Sequence, residues 1–219
     1  MKCRGFLFDL DGTLVDSLPA VERAWSQLAE RINVPAQEVL DFIHGKQAMT
    51  SLRHFMPGAS EEAILREFSW LEAKEAEDTE GVVALPGVID LLTYLNDEKI
   101  PWAIVTSGTV PIAFARHGTA GLPKPEVFVT AEQVERGKPE PDAYLLGAQL
   151  LGLEPEQCVV VEDAPAGILS GLSAGCHVIA VNAPAETPRL EQVNYALSSL
   201  KELLVQKTAD GHVEILRKH

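Results

Sequence analysis

Phe6-Leu7-Phe8-Asp9-Leu10-Asp11-Gly12-Thr13-Leu14-Val15 begins as an apolar run and then sets two aspartates two positions apart ahead of a glycine. The run suits a strand buried on both faces. In an extended chain Asp9 and Asp11 point to the same side, with Leu10 between them pointing away. Gly12 lets the chain turn off at once. Two carboxylates are thus presented together at the carboxyl end of a strand, where open α/β sheets place their ligands. Like charges this close are unfavourable unless a cation or a proton intervenes.

Outward from this stretch the pattern turns helical. Val21, Trp25, Leu28 and Ile32 recur on one helix face. A second segment carries Val39, Leu40 and Ile43 up to the turn His44-Gly45-Lys46. A third carries Met49, Leu52, Phe55 and Met56 and stops at Pro57-Gly58. Ser60 is a good N-cap for a fourth helix with Ile64, Leu65, Phe68 and Leu71. Residues 16–83 therefore read as an all-helical insertion without a strand.

From Leu85-Pro86-Gly87 onward helix and strand alternate. Strands are expected at Trp102 to Val105, Val127 to Val129, Cys158 to Val161 and His177 to Val181. Helices are expected at Val88 to Leu95, Val110 to His117, Asp142 (as cap) to Leu151, and Ala166 to Ala174. Apolar strands alternating with helices predict an α/β fold, a parallel sheet with helices on both faces. The division is then a discontinuous core of residues 1–15 and 84–219 and a helical cap of residues 16–83. Asp210-Gly211 predicts a terminal hairpin at the sheet edge, pairing Leu203 to Lys207 with His212 to Leu216.

Composition narrows the function. The 219 residues carry 18 Lys+Arg against 32 Asp+Glu, a formal net charge of −14. No general positive field would draw a nucleic acid or an anionic membrane. The three cysteines, Cys3, Cys158 and Cys176, lack metal-ligand spacing and read as buried small hydrophobes in a reducing compartment. With no signal peptide and no membrane-length apolar run, the expectation is a cytoplasmic monomer acting on a small molecule. There is no Gly-x-Ser-x-Gly elbow and no Walker or Gly-x-Gly-x-x-Gly loop.

Polar residues gather at the predicted strand ends: Thr106-Ser107 after one, Glu162-Asp163 after another, and Lys138 in Gly137-Lys138-Pro139-Glu140-Pro141 between them. Taken singly each has a plain reading. Thr106 and Glu162-Asp163 would cap the helices that follow, and Lys138 would be a solvated loop charge. Together with Asp9 and Asp11 they are a surplus of carboxylates at buried strand ends. That surplus calls for a divalent cation, and oxygen-only ligands select Mg²⁺ rather than zinc.

The same residues resemble the motifs of the haloacid dehalogenase-like superfamily. Asp9-Leu10-Asp11-Gly12-Thr13-Leu14-Val15-Asp16-Ser17 is similar to its first motif and Ala103-Ile104-Val105-Thr106 to its second. Lys138 matches the third, and Val160-Val161-Glu162-Asp163-Ala164-Pro165-Ala166-Gly167 the fourth. The four stand in family order, and the helical insertion resembles the family's type 1 cap, found in sugar-phosphate phosphatases and β-phosphoglucomutase. Phe42-Ile43-His44-Gly45-Lys46 and Leu52-Arg53-His54-Phe55 look most like hexitol (sugar) phosphatases of enterobacteria and glycerol-phosphate phosphatases.

The resemblance implies a Mg²⁺-dependent phosphatase of phosphorylated sugars or polyols. Asp9 would be the nucleophile and form an aspartyl-phosphate, and Asp11 the general acid and then base. Asp9, the Asp11 carbonyl and Asp163 would hold the metal, with Glu162 near or ligating. Thr106, Ser107, Lys138 and the backbone at Leu10 would hold the phosphoryl oxygens. In the cap, His44, Gly45, Lys46, Thr50, Ser51 and Arg53 stand near one turn and are the candidate contacts to the leaving group, although each also reads as an ordinary helix or turn residue. The alternatives are a β-phosphoglucomutase-like mutase, a catalytically silent phosphate-binding regulator, and a haloacid dehalogenase, the last a poorer match to the carboxylate pair.

Overall fold

The computed structural model describes residues 1–218. β1 (Lys2–Cys3) leads into β2 (Gly5–Phe8), every residue of which is buried. β3 (Val15–Asp16) then opens four helices: α1 (Leu18–Arg31), α2 (Ala36–Ile43), α3 (Ala48–Phe55) and α4 (Glu61–Glu77). β4 (Val83–Ala84) returns the chain to α5 (Val88–Asp97), β5 (Trp102–Val105), α6 (Val110–Thr119) and β6 (Val127–Val129). There follow α7 (Asp142–Leu150), β7 (Cys158–Glu162), α8 (Pro165–Ser173), β8 (His177–Val181), β9 (Tyr195–Leu197), β10 (Leu203–Lys207) and β11 (Val213–Arg217).

The main sheet is parallel, in the order β6-β5-β2-β7-β8-β9, with β2 inside it. Both its faces are covered, as its apolar strands require. Phe6, Phe8, Trp102, Ile104, Val159 and Val161 face one apolar cluster, and Leu7, Ala103, Val105, Cys158 and Val160 face the other. This is the period-2 alternation of strands. Register decides what sits at the top edge. Phe8 pairs with Ile104 on one side and Val161 on the other. The residue after β2, Asp9, is therefore level with Val105 and Glu162, one step short of Thr106 and Asp163.

Helices α1 to α4 have their own apolar cluster, drawn from residues 24–71 and including Trp25, Leu28, Val39, Leu52 and Leu71. Ser60 caps α4 as the sequence indicates, its hydroxyl accepting the Ala63 N–H at 3.2 Å. The junctions differ from an all-helical reading. β3 and β4 pair Val15 with Ala84 and Asp16 with Val83, a two-residue ribbon too short to leave a periodicity. Strand β9 extends the sheet beyond the strands expected.

The terminal hairpin forms, with β11 starting at Val213, but not on the edge of the main sheet. It takes β1 as its third strand, Cys3 opposite Val213, in a separate antiparallel sheet. Asp142 does not cap α7. Pro141 holds that position, and Asp142 instead pairs with Arg136 at 3.0 Å. The three cysteines are buried and unpaired. Among the described residues no helix is long and apolar enough to cross a membrane.

Candidate active site

Asp9 follows β2 and donates its N–H to the Val161 carbonyl at 3.0 Å, so it still belongs to the sheet ladder. Lys138 reaches it from the loop before α7. The Lys138 ammonium donates to Asp9 Oδ1 at 2.7 Å, to Glu162 Oε1 at 2.7 Å and to the Val105 carbonyl at 3.0 Å. All three of its protons are used. It is no solvated loop charge: its side chain is 1% exposed.

Glu162 is fully buried, and four donors converge on it. Lys138 and the Tyr144 hydroxyl, at 2.8 Å, bond Oε1, and the N–H groups of Asp163 and Ala164, both at 3.1 Å, bond Oε2. The capping reading of Glu162 is met in part, since it satisfies two backbone donors just ahead of α8. Thr106 does not cap α6. Thr109 stands at that position, and the Thr106 hydroxyl accepts the Gly108 N–H at 3.0 Å.

Asp163 completes the group. Its Oδ1 accepts the Thr13 hydroxyl at 3.1 Å. Gly12 turns in the left-handed region at φ 86°, and a Cβ there would meet Asp163 Oδ2 at 2.1 Å. Glycine is thus required twice over at this turn, for its φ and for the space the carboxylate fills.

One carboxylate oxygen each from Asp9, Glu162 and Asp163 lie within 4.8 Å of one another. Three carboxylates face a single ammonium, so the site is short of positive charge. Burial, and then the charge of Glu162, push Asp9 well above the usual carboxylate range, although Lys138 opposes this. The same two causes push Asp163 up to about 7. For Lys138, burial alone would lower the pKa, but Asp9 and Glu162 outweigh it and hold the ammonium charged. Oxygen-only donors with unmet negative charge suit a hard divalent cation. Asp9 and Asp163 have the freer oxygens, whereas those of Glu162 are engaged by four donors.

A cavity of about 360 Å³ opens above this group, walled on one side by Asp9, Asp11, Thr106, Ser107 and Asp163 and on the other by Trp25, Ile43, His44, Gly45 and Lys46 of the helical block. Its two walls are tied: the Ser107 hydroxyl donates to the Gly45 carbonyl at 3.1 Å and Gln47 Nε2 to the Ala131 carbonyl at 3.4 Å. Burial lowers the pKa of both His44 and Lys46. Lys46 also lies 4.0 Å over the Phe42 ring, whose backbone carbonyl it bonds.

The remaining expected contacts are not on this cavity. Leu10, expected to contribute through its backbone N–H, has its side chain fully buried in the core; Ser51 is buried within the helical block, and Thr50 is exposed. Arg53 pairs with Glu61 at 2.7 Å on the surface. Lys138 and Glu162 lie behind Asp9 rather than on the wall.

Four residues were not anticipated. Tyr144 anchors Glu162, and Ser17 donates to Asp11 Oδ1 at 2.6 Å. Arg116 of α6 donates to the same Asp11 oxygen at 2.9 Å and to Glu75 of α4 at 2.8 Å, with both Arg116 and Glu75 buried. A signal for the last two was available. Arg116 follows Ile112 by four positions and Glu75 follows Leu71 by four, so each charge continues an apolar helix stripe.

Comparison with known proteins agrees with this geometry. A family model described as haloacid dehalogenase-like hydrolase matches residues 3–175. Hexitol phosphatase A of Escherichia coli (strain K12) is 70% identical over 215 residues, 98% of this chain and 100% of that one. Glycerol-1-phosphate phosphohydrolase 2 of Saccharomyces cerevisiae is 34% identical over 83% of this chain and 75% of its own. Among solved structures, a hydrolase from Pseudomonas syringae superposes with a TM-score of 0.78 at 26% identity, covering 89% of this chain and 92% of that one. The chain belongs to the haloacid dehalogenase-like hydrolases.

Proposed function

We propose that this protein is a Mg²⁺-dependent phosphatase of small phosphorylated polyols and sugars, with hexitol phosphates as its first substrates. The observation that carries this is the pairing of Asp9 and Asp163 on one cavity wall, with the buried Lys138 ammonium bonded to Asp9 from behind. The 70% identical relative named hexitol phosphatase A supplies the substrate class.

In this reading Asp9 attacks phosphorus and becomes an aspartyl-phosphate, and Asp11 protonates the departing alkoxide oxygen, releasing the alcohol, and then takes a proton from the attacking water. Lys138, Thr106 and the Ser107 N–H hold the phosphoryl oxygens, with preorganised donors stabilising the charge that develops there. Asp9, Asp163 and the Asp11 carbonyl would hold Mg²⁺, which supplies positive charge to offset the repulsion between Asp9 and a phosphate dianion. Glu162 serves chiefly to fix Lys138. Residues 16–83 act as a cap over the site carried by residues 1–15 and 84–219, excluding water and choosing the alcohol through the wall at His44, Gly45 and Lys46. Three buried thiols without a disulfide suit the cytoplasm.

The test is phosphate release from a panel of hexitol, sugar and glycerol phosphates, with and without Mg²⁺. Release should be greatest for the hexitol phosphates, should need the metal, and should vanish in Asp9→Asn, by roughly 10³-fold or more. Conversion of β-glucose 1-phosphate to the 6-phosphate without release would instead establish a mutase.

A further inference from the structure

We infer that Arg116, held by Glu75 of the helical block, is a positioning residue for the Asp11 carboxylate. The inference rests on the proposed role of Asp11 as general acid and base.

Arg116 bonds Asp11 through Nη1 and Glu75 through Nη2, at 2.9 and 2.8 Å. Both side chains of the Arg116–Glu75 pair are 4% exposed, whereas Asp11, at 26%, keeps access to the cavity. The Arg116 Nε is also buried and has no partner among the described residues. A buried guanidinium kept despite an unmet donor calls for a reason beyond packing. Its neighbours suggest one. Two donors, Arg116 and the Ser17 hydroxyl, converge on Asp11 Oδ1. That fixes the rotamer and leaves Oδ2 to carry the proton. As Asp9 forms its bond to phosphorus and the P–O ester bond breaks, the proton on Asp11 Oδ2 passes to the departing alkoxide oxygen. Asp11 is left as a carboxylate, ready to accept a proton from water.

The ion pair also crosses between units of the fold. Glu75 stands on α4, Arg116 on α6 and Asp11 beyond β2. Arg116 keeps its second carboxylate partner only while α4 is seated against α6, which links the placement of Asp11 to the seating of the helical block. Burial opposes the charge on Arg116, but its contacts with Asp11 and Glu75 outweigh this and keep the guanidinium charged.

The test compares leaving groups in the presence of Mg²⁺. An alkyl phosphate such as glycerol phosphate needs a proton to depart, whereas p-nitrophenyl phosphate does not. Arg116→Met should slow the first turnover of glycerol phosphate by about 100-fold and that of p-nitrophenyl phosphate by less than about threefold. Arg116→Lys should recover part of the loss. Glu75→Ala should show the same selectivity at about tenfold, which keeps the test alive where Arg116→Met does not fold. Equal losses on both substrates in folded variants, or no loss on either, would overturn the inference. Asp11→Asn is the control for its basis. If Asp11→Asn fails to discriminate between the two substrates, the acid role itself is wrong; if it discriminates and the Arg116 and Glu75 variants do not, only the positioning role is.

Discussion

The Lys138 ammonium lies 2.7 Å from Asp9 Oδ1 although 129 positions separate the two residues. Neither charge is tolerable there alone. Lys138 is buried among two carboxylates and a carbonyl, and Asp9 is buried beside Glu162. Removing one partner of such a pair exposes the other to the full cost of an uncompensated buried charge. Lys138→Ala should therefore lose at least about 100-fold in kcat, the scale of one removed oxyanion donor, and also lower the Tm. Lys138→Arg should rescue charge but not activity, because a planar fork cannot repeat three tetrahedral bonds. Steady-state rates and thermal melts on the two variants check both statements.

Glu162 is held in place by more than Lys138, and Gly167 makes room for it. A Cβ at Gly167 would meet Glu162 Oε1 at 1.6 Å. Alanine is the better helix former by about 1 kcal/mol, and Gly167 lies inside α8. The steric clash should win, because Glu162 is fully buried and cannot move without releasing Lys138. Gly167→Ala is expected to lower both Tm and kcat, the latter by roughly tenfold or more. Tyr144→Phe, which deletes only one hydrogen bond to Glu162, should cost about 1–3 kcal/mol of stability with a smaller effect on rate. Gly167→Ala protein that is both more stable and fully active would show that Glu162 has slack the structure does not reveal.

The shifted carboxylates make metal-free stability depend on pH in a definite direction. Asp163 titrates near 3.8 when unfolded and is pushed up to about 7 in the fold. Between those values the folded state binds the proton more tightly, so its contribution is full below the lower value and is lost as pH rises through the upper. Asp9 shifts in the same direction. Wild type should therefore lose Tm relative to Asp163→Asn on going from pH 5 to pH 8 without metal. Mg²⁺ must displace the Asp163 proton at pH 5 but not at pH 8, so it should raise the wild-type Tm more at pH 8. Melts of both proteins at the two pH values, with EDTA or with Mg²⁺, measure this. A Mg²⁺ shift retained in full by Asp163→Asn would remove Asp163 from the metal site.

The central strand and its carboxylates were legible because their signals are local. An apolar run ending in Asp-Leu-Asp-Gly states its own conformation and its own electrostatic conflict, and Lys138 and Asp163 stand in short motifs of turn residues. What stayed hidden depends on distance. Tyr144 looks like one more apolar residue of α7 until Glu162, 18 positions on, receives its hydroxyl. Arg116 and Glu75 neutralise each other across 41 positions, and only the tertiary fold shows that a charge in each apolar stripe has a partner. Likewise β1 and β11 pair the two ends of the chain, a register that no local pattern encodes.

The wall of the cavity distinguishes Lys46 from Arg53, two cations that both follow the Gly45 turn in sequence. Lys46 is partly buried on the cavity, its charge penalised by burial and supported by the Phe42 ring and carbonyl. Arg53 lies on the surface, and its bond to Glu61 joins side chains that are both more than half exposed. A polyol hydroxyl bound by a charged donor is worth about 1.5–3 kcal/mol. Lys46→Ala should therefore reduce kcat/KM for hexitol phosphates by roughly 10- to 100-fold. It should leave inorganic phosphate inhibition nearly unchanged, since the phosphoryl contacts lie on the opposite wall. An exposed pair contributes at most about 1 kcal/mol to stability, so Arg53→Ala should alter neither kcat/KM nor Tm appreciably. Kinetics of the two variants on one hexitol phosphate decide the matter. Equal losses from both would mean that the substrate reaches Arg53, beyond the cavity wall formed by His44, Gly45 and Lys46.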